Sequence, residues 1–108
     1  MEVLKSKIII ANKNHKCYFC NKIIKKGDKY KYQFNVDNGD FWEFKAHYSC
    51  DRLADRLSLY KYYADEGVSD DLFQEIVIDS YRDIIKPLDN HDLPNFNEIL
   101  TIVKEKYL

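Results

Sequence analysis

Cys17-Tyr18-Phe19-Cys20 and, beyond an insert spanning 21–46, His47-Tyr48-Ser49-Cys50 are the stretches that decide the fold of this chain. Between them they hold all three of its cysteines. Zn2+ takes four soft or borderline ligands in a tetrahedron, and three thiolates with one imidazole are a usual closed structural set. The two pairs supply that set with no thiol left over. One structural Zn2+ held by Cys17, Cys20, His47 and Cys50 is therefore predicted. A thioredoxin-type reading of Cys17-x-x-Cys20 requires a βαβ setting that the surrounding residues lack. A disulfide framework strands one of three thiols.

Working outward, the insert reads as a device that returns the chain to its first ligand pair. Cys17 to Asn21 is expected to form a zinc knuckle. Ile23-Ile24 is a short strand that runs into a turn at Gly27. Tyr30, Tyr32, Phe34 and Val36 alternate with Lys31, Gln33 and Asn35, the period of a half-buried strand. Asn38-Gly39 is a tight hairpin signal, because both residues accept the positive φ that such a turn requires. Phe41 to Ala46 is the return strand, with Trp42, Phe44 and Ala46 on one face. Upstream, Ile8, Ile9 and Ile10 favour a short strand over an unstructured lead-in.

After Cys50 the period changes. Leu53, Leu57 and Tyr60 form a stripe on a helix expected from about Ser49 to Tyr63, with Gly67 as its end. Ser69 followed by Asp70 and Asp71 is a helix start. Its apolar positions, from Leu72 and Phe73 to Ile84 and Ile85, carry it to Pro87. Asn95, with Glu98 three residues on, opens a last helix that turns Phe96, Ile99, Leu100, Val103 and Tyr107 inward. The fold class expected is α+β, a knuckle and β-hairpin followed by about three helices. Residues 1–66 form the zinc module and 67–108 a helical extension packing on it.

Composition narrows the function. Nine Tyr, six Phe and one Trp in 108 residues supply ample core material. The formal net charge of −1 hides a division. Up to Val36, nine lysines oppose only Glu2 and Asp28, a balance of +7, and the remainder carries −8. The apolar run at Ile8 to Ile10 is too short for a signal core or a membrane span, so a cytoplasmic protein with no membrane partner is expected. Four protein ligands leave no open position for water, which argues against zinc catalysis. The chain has no Gly-rich phosphate loop and no Ser/His/Asp arrangement, so an enzyme is not expected. His15 reads as a solvated histidine or an alternative ligand. Asp89-Asn90-His91-Asp92 reads as an acidic turn.

The knuckle, the turn at Lys26-Gly27-Asp28, the Asn38-Gly39 hairpin and a ligand pair that opens a helix resemble the treble-clef class of zinc fingers. The same residues are similar to small zinc proteins of phages and mobile elements. The resemblance covers about Asn14 to Tyr63 and implies a fold and a metal. The treble-clef class itself implies no function. With the metal shell closed, a non-catalytic interaction module with a protein partner is expected, and the likeness to phage proteins implies an accessory protein or host-defence inhibitor, acting in the host cell cytoplasm if phage-derived. The acidic second part suits a basic protein surface. The alternative is nucleic-acid binding through the lysine-rich first third, at Lys16, Lys22, Lys25, Lys26, Lys29 and Lys31, salt-sensitive and loosely specific because no arginine precedes Arg52.

Overall fold

In the computed structural model of the chain, residues 2–62, 68–85 and 94–108 are described. Gly67, Pro87 and the Asp89–Asp92 turn lie outside them. The fold is α+β. Strands β1 (Glu2–Ile10), β4 (Lys29–Asp37) and β5 (Asp40–His47) form an antiparallel sheet in the order β1-β4-β5. Strands β2 (His15–Lys16) and β3 (Ile23–Ile24) form a small ribbon beside it. Helices α1 (Tyr48–Arg56), α2 (Leu59–Tyr62), α3 (Asp70–Ile85) and α4 (Phe96–Tyr107) follow.

The apolar triplet at Ile8 to Ile10 belongs to a nine-residue strand paired along its length with β4. The hairpin forms at Asn38-Gly39, where φ is 52° and 86°, and Asp37 faces Asp40. Both central residues have positive φ, as a two-residue turn matched to sheet twist requires.

That turn also sets which residues share a face. With Asp37 opposite Asp40, Gln33 pairs with Phe44 and Asn35 with Trp42. The aromatic set of β4 and the Phe44 set of β5 therefore lie on opposite faces. Phe44 and Ala46 face the core and are buried, so the other residues on that side of β4 are Lys31, Gln33 and Asn35. Asn35 is fully buried, contrary to the polar, outward role its alternation predicts. Tyr30 is buried on the outer face, where the His15 ring lies 5.2 Å from it. Tyr32 and Phe34 remain half-buried. Trp42 shares the Phe44 face yet is 38% exposed near the hairpin tip.

The long helix expected after Cys50 is two helices. Ser58 has φ of 61°, and the ladder breaks there: Leu57 and Ser58 donate back to Leu53 and Asp55, while Tyr62 starts again from Ser58. The stripe survives the break, since Leu53 and Leu59 are buried and Leu57 and Tyr60 are partly so. Both later helix starts are capped by the residues that signal them. Ser69 Oγ accepts from the Leu72 amide at 3.1 Å. Asn95 Oδ1 accepts from the Glu98 amide at 3.0 Å, and Asn95 Nδ2 donates to Glu98 Oε1 at 3.1 Å, a reciprocal box.

The core is continuous from the knuckle to the last helix. Phe19 stacks on Phe73 of α3 with centroids 4.5 Å apart and planes 9° from parallel, and it meets Phe44 edge-on at 5.2 Å. Gln74 Nε2 donates to the Phe19 carbonyl at 3.1 Å. Ile99, Leu100 and Val103 of α4 are buried in the same cluster.

Candidate metal centre

Three elements deliver the four donors. Cys17 and Cys20 sit on the knuckle after β2, where the Cys17 amide donates to the Lys22 carbonyl and Asn21 takes φ of 62° to close the turn. His47 ends β5, and Cys50 lies in the first turn of α1. The hairpin register places Tyr30 opposite His47 and so brings β5 back beside the knuckle. A backbone bond from the Tyr18 amide to the Lys45 carbonyl fixes that approach at 2.8 Å.

The donor atoms of Cys17, Cys20, His47 and Cys50 lie within 4.8 Å of one another. The three thiols are buried and unpaired by disulfide. His47 Nδ1 is 3.4 Å from Cys20 Sγ and 3.8 Å from Cys50 Sγ. Tetrahedral Zn2+ with Zn–S near 2.3 Å and Zn–N near 2.0 Å sets sulfur and nitrogen about 3.5 Å apart. The residues present fit such an ion.

The outer contacts fit as well. His47 Nε2 donates to the Ile23 carbonyl at 3.0 Å, which fixes the tautomer that leaves Nδ1 free to ligate. The His47 backbone N–H donates to Cys17 Sγ at 3.4 Å. Hydrogen bonds from Cys20 and Cys50 hold the Cys17 thiol down at about 3. The same contacts push the Cys50 thiol up. His47 is raised, chiefly by its contact with Cys20. Without a cation, then, the clustered donors share protons, and a divalent ion would replace those protons with two positive charges at their centre.

His15 stands apart from the cluster. Its Nδ1 accepts from Lys45 Nζ at 3.4 Å, and partial burial followed by the charge of Lys45 lowers its pKa. The six lysines of the nucleic-acid reading do not share one surface. Lys16, Lys22, Lys25 and Lys26 are exposed around the knuckle and ribbon. Lys29 and Lys31 lie on the α1 side of β4: Lys29 Nζ sits 5.0 Å from the Tyr48 ring centroid, and Lys31 borders a cleft with Asp51 and Arg52. Lys104 escapes a reading of the two residue pairs altogether. It reaches from α4 to Ser49 Oγ, beside Cys50, at 2.8 Å.

Comparison with known proteins finds no family model, no curated protein and no solved structure that matches this chain. None of the helices among the described residues is long and apolar enough to cross a membrane.

Proposed function

We propose that the chain is a non-catalytic interaction module organised by one structural Zn2+, and that its acidic helical part docks on a basic protein surface. The observation that carries the reading is the closed, buried donor set, with three thiols and one oriented imidazole. Such a set binds tightly and leaves no coordination site for water or substrate. The metal then serves to hold the hairpin, the knuckle and α1 in one rigid arrangement.

Support for the partner comes from α3. Asp71, Glu75, Asp79 and Asp83 recur every fourth residue and are all exposed, so they form an acidic ridge along one helix face. Arg82 offsets Asp79 only weakly, at 3.7 Å. A ridge of this sign speeds encounter with a basic surface and rejects acidic ones. The finer reading is a treble-clef-type finger in a phage-type accessory protein that occupies a basic host surface.

Native mass spectrometry of the full chain prepared without added metal tests the first part, with one Zn2+ per chain expected. Affinity capture with the wild type and with Asp71→Lys/Glu75→Lys tests the second. A protein held by the wild type and released by the variant supports docking, and no protein above background counts against it.

A further inference from the structure

The outer face of the three-stranded sheet is a second surface, opposite in sign to the α3 ridge. Register places Lys5 and Lys7 of β1, Tyr32 and Phe34 of β4, and Phe41 and Lys45 of β5 on this one side. α1 lies on the other side, where Ile8 and Lys31 face its Tyr48 and Asp51 across a cleft. The outer face holds a shallow cavity of about 280 Å³ whose lining among the described residues comes from strands and the β1–β2 turn.

Three ammonium groups, from Lys5, Lys7 and Lys45, border that cavity, with Glu43 as its carboxylate. Glu43 is engaged, since it accepts the Tyr32 hydroxyl at 2.7 Å and so pins the Tyr32 ring. Lys7 Nζ stands 5.9 Å from the centroid of that ring. Farther along, Phe34 and Phe41 stack with centroids 5.7 Å apart and planes 11° from parallel, and Phe41 is 62% exposed. Alternate residues of a strand lie about 7 Å apart. Tyr32 and Phe34 are thus half-exposed rings in a row, with lysines on the strands at either side.

We infer that this outer sheet face binds single-stranded nucleic acid, with phosphates on Lys5, Lys7 and Lys45 and unpaired bases on Tyr32 and the Phe34–Phe41 pair. Aromatic faces accept any base, and a basic flank follows the backbone, which together make a sequence-tolerant single-strand site. A duplex hides its base faces and offers the lysines alone. Charge complementarity selects a polyanion over a second copy of this chain, because two copies would bring the same three ammonium groups together. The site goes beyond the docking reading and uses different elements.

The test is fluorescence anisotropy of the zinc-loaded full chain with oligothymidylate and oligouridylate of about 12 nucleotides, against a DNA duplex of equal length. Single strands bind more tightly than the duplex. Phe41→Ala weakens single-strand binding roughly tenfold and leaves duplex binding nearly unchanged. Lys7→Gln/Lys45→Gln lowers the steepness of the log K against log salt plot by about 1.4, at about 0.7 per lost phosphate contact. Lys22→Gln/Lys25→Gln, at the knuckle, changes neither. Zinc content and circular dichroism confirm that each variant is folded. No binding at low salt, duplex affinity equal to single-strand affinity, or loss confined to the knuckle variant overturns the inference. So does a concentration-dependent dimer, seen by light scattering, that Phe41→Ala dissociates.

Discussion

Lys104, in the last turn of α4, donates a 2.8 Å hydrogen bond to Ser49 Oγ, one residue before Cys50 of the donor cluster. The bond joins the end of the chain to the first turn of α1. A Zn2+ bound by three thiolates and a neutral imidazole would carry a net charge of −1, and the partly buried Lys104 ammonium would be its counter-charge. Lys104→Met removes both the bond and the charge. A loss of about 1.5 kcal/mol in unfolding free energy is expected, the usual size for a hydrogen bond to a charged group. Urea titration of Lys104→Met, Ser49→Ala and the double variant checks it, with a smaller loss in the double than the sum of the singles.

Metal removal has a larger effect. Structural Zn2+ in small domains contributes on the order of 10 kcal/mol, comparable to the stability of a whole domain. Cys50→Ser, or an excess of chelator, is expected to unfold at least the knuckle and hairpin, as read by circular dichroism. Because the ligands must lose protons to bind, acid favours the apo protein. Metal release measured with a chromogenic chelator is expected to rise as pH falls. A Cys50→Ser chain of native stability with no metal bound would refute the centre.

Alkaline pH acts through Tyr60. Burial, then its 2.6 Å hydrogen bond to Asp51 Oδ1, raises the pKa of this phenol. A raised folded-state pKa favours the protonated form in the native protein. The stability it contributes is complete below the ordinary tyrosine value near 10 and is lost as pH rises above it. Tyr18, Tyr30 and Tyr32 are raised too and add to the same slope. Tyr60→Phe is expected to cost about 1.5 kcal/mol at neutral pH and to flatten the alkaline fall. Denaturation midpoints from pH 7 to 11 compare the two proteins.

The clustering of Cys17, Cys20, His47 and Cys50 is legible because two short spacings encode it, and the caps at Ser69 and Asn95 are legible because each is a local side-chain-to-backbone contact. The hairpin turn is equally local. Its consequence is not. Asn38-Gly39 sets Asp37 opposite Asp40, so even positions of β4 share a face with odd positions of β5. Tyr30, Tyr32 and Phe34 are thereby turned away from Phe44, a result that follows from counting register and not from either strand's pattern alone. The break at Ser58 is hidden for another reason, since Leu53, Leu57 and Tyr60 keep a helical period across it. Pairing of β1 with β4 and the reach of Lys104 to Ser49 are non-local and leave no mark in spacing.

Asn35 tests the register directly. It lies on the core side of β4 opposite Trp42, fully buried, and neither its Oδ1 nor its Nδ2 has a hydrogen-bond partner among the described residues. An unsatisfied buried amide costs about 1–3 kcal/mol, and an apolar residue of similar shape avoids that cost. Asn35→Leu is expected to stabilise the protein by about 1 kcal/mol or more, read as an increase in Tm. A loss of stability would mean that the amide is satisfied in solution.

The Phe19–Phe73 stack decides whether 67–108 is separable from the zinc module. Phe19 lies between Cys17 and Cys20 of the donor cluster, and Phe73 is fully buried against it from α3. Truncating a buried aromatic residue costs about 3–5 kcal/mol, through lost transfer free energy and the cavity left behind. Phe73→Ala is expected to destabilise the whole chain by that amount. It is also expected to speed zinc transfer to a competing chelator, since the lost contact sits inside the knuckle. A variant that melts in two steps, with its zinc held as in the wild type, would show that the helices fold apart from the metal centre.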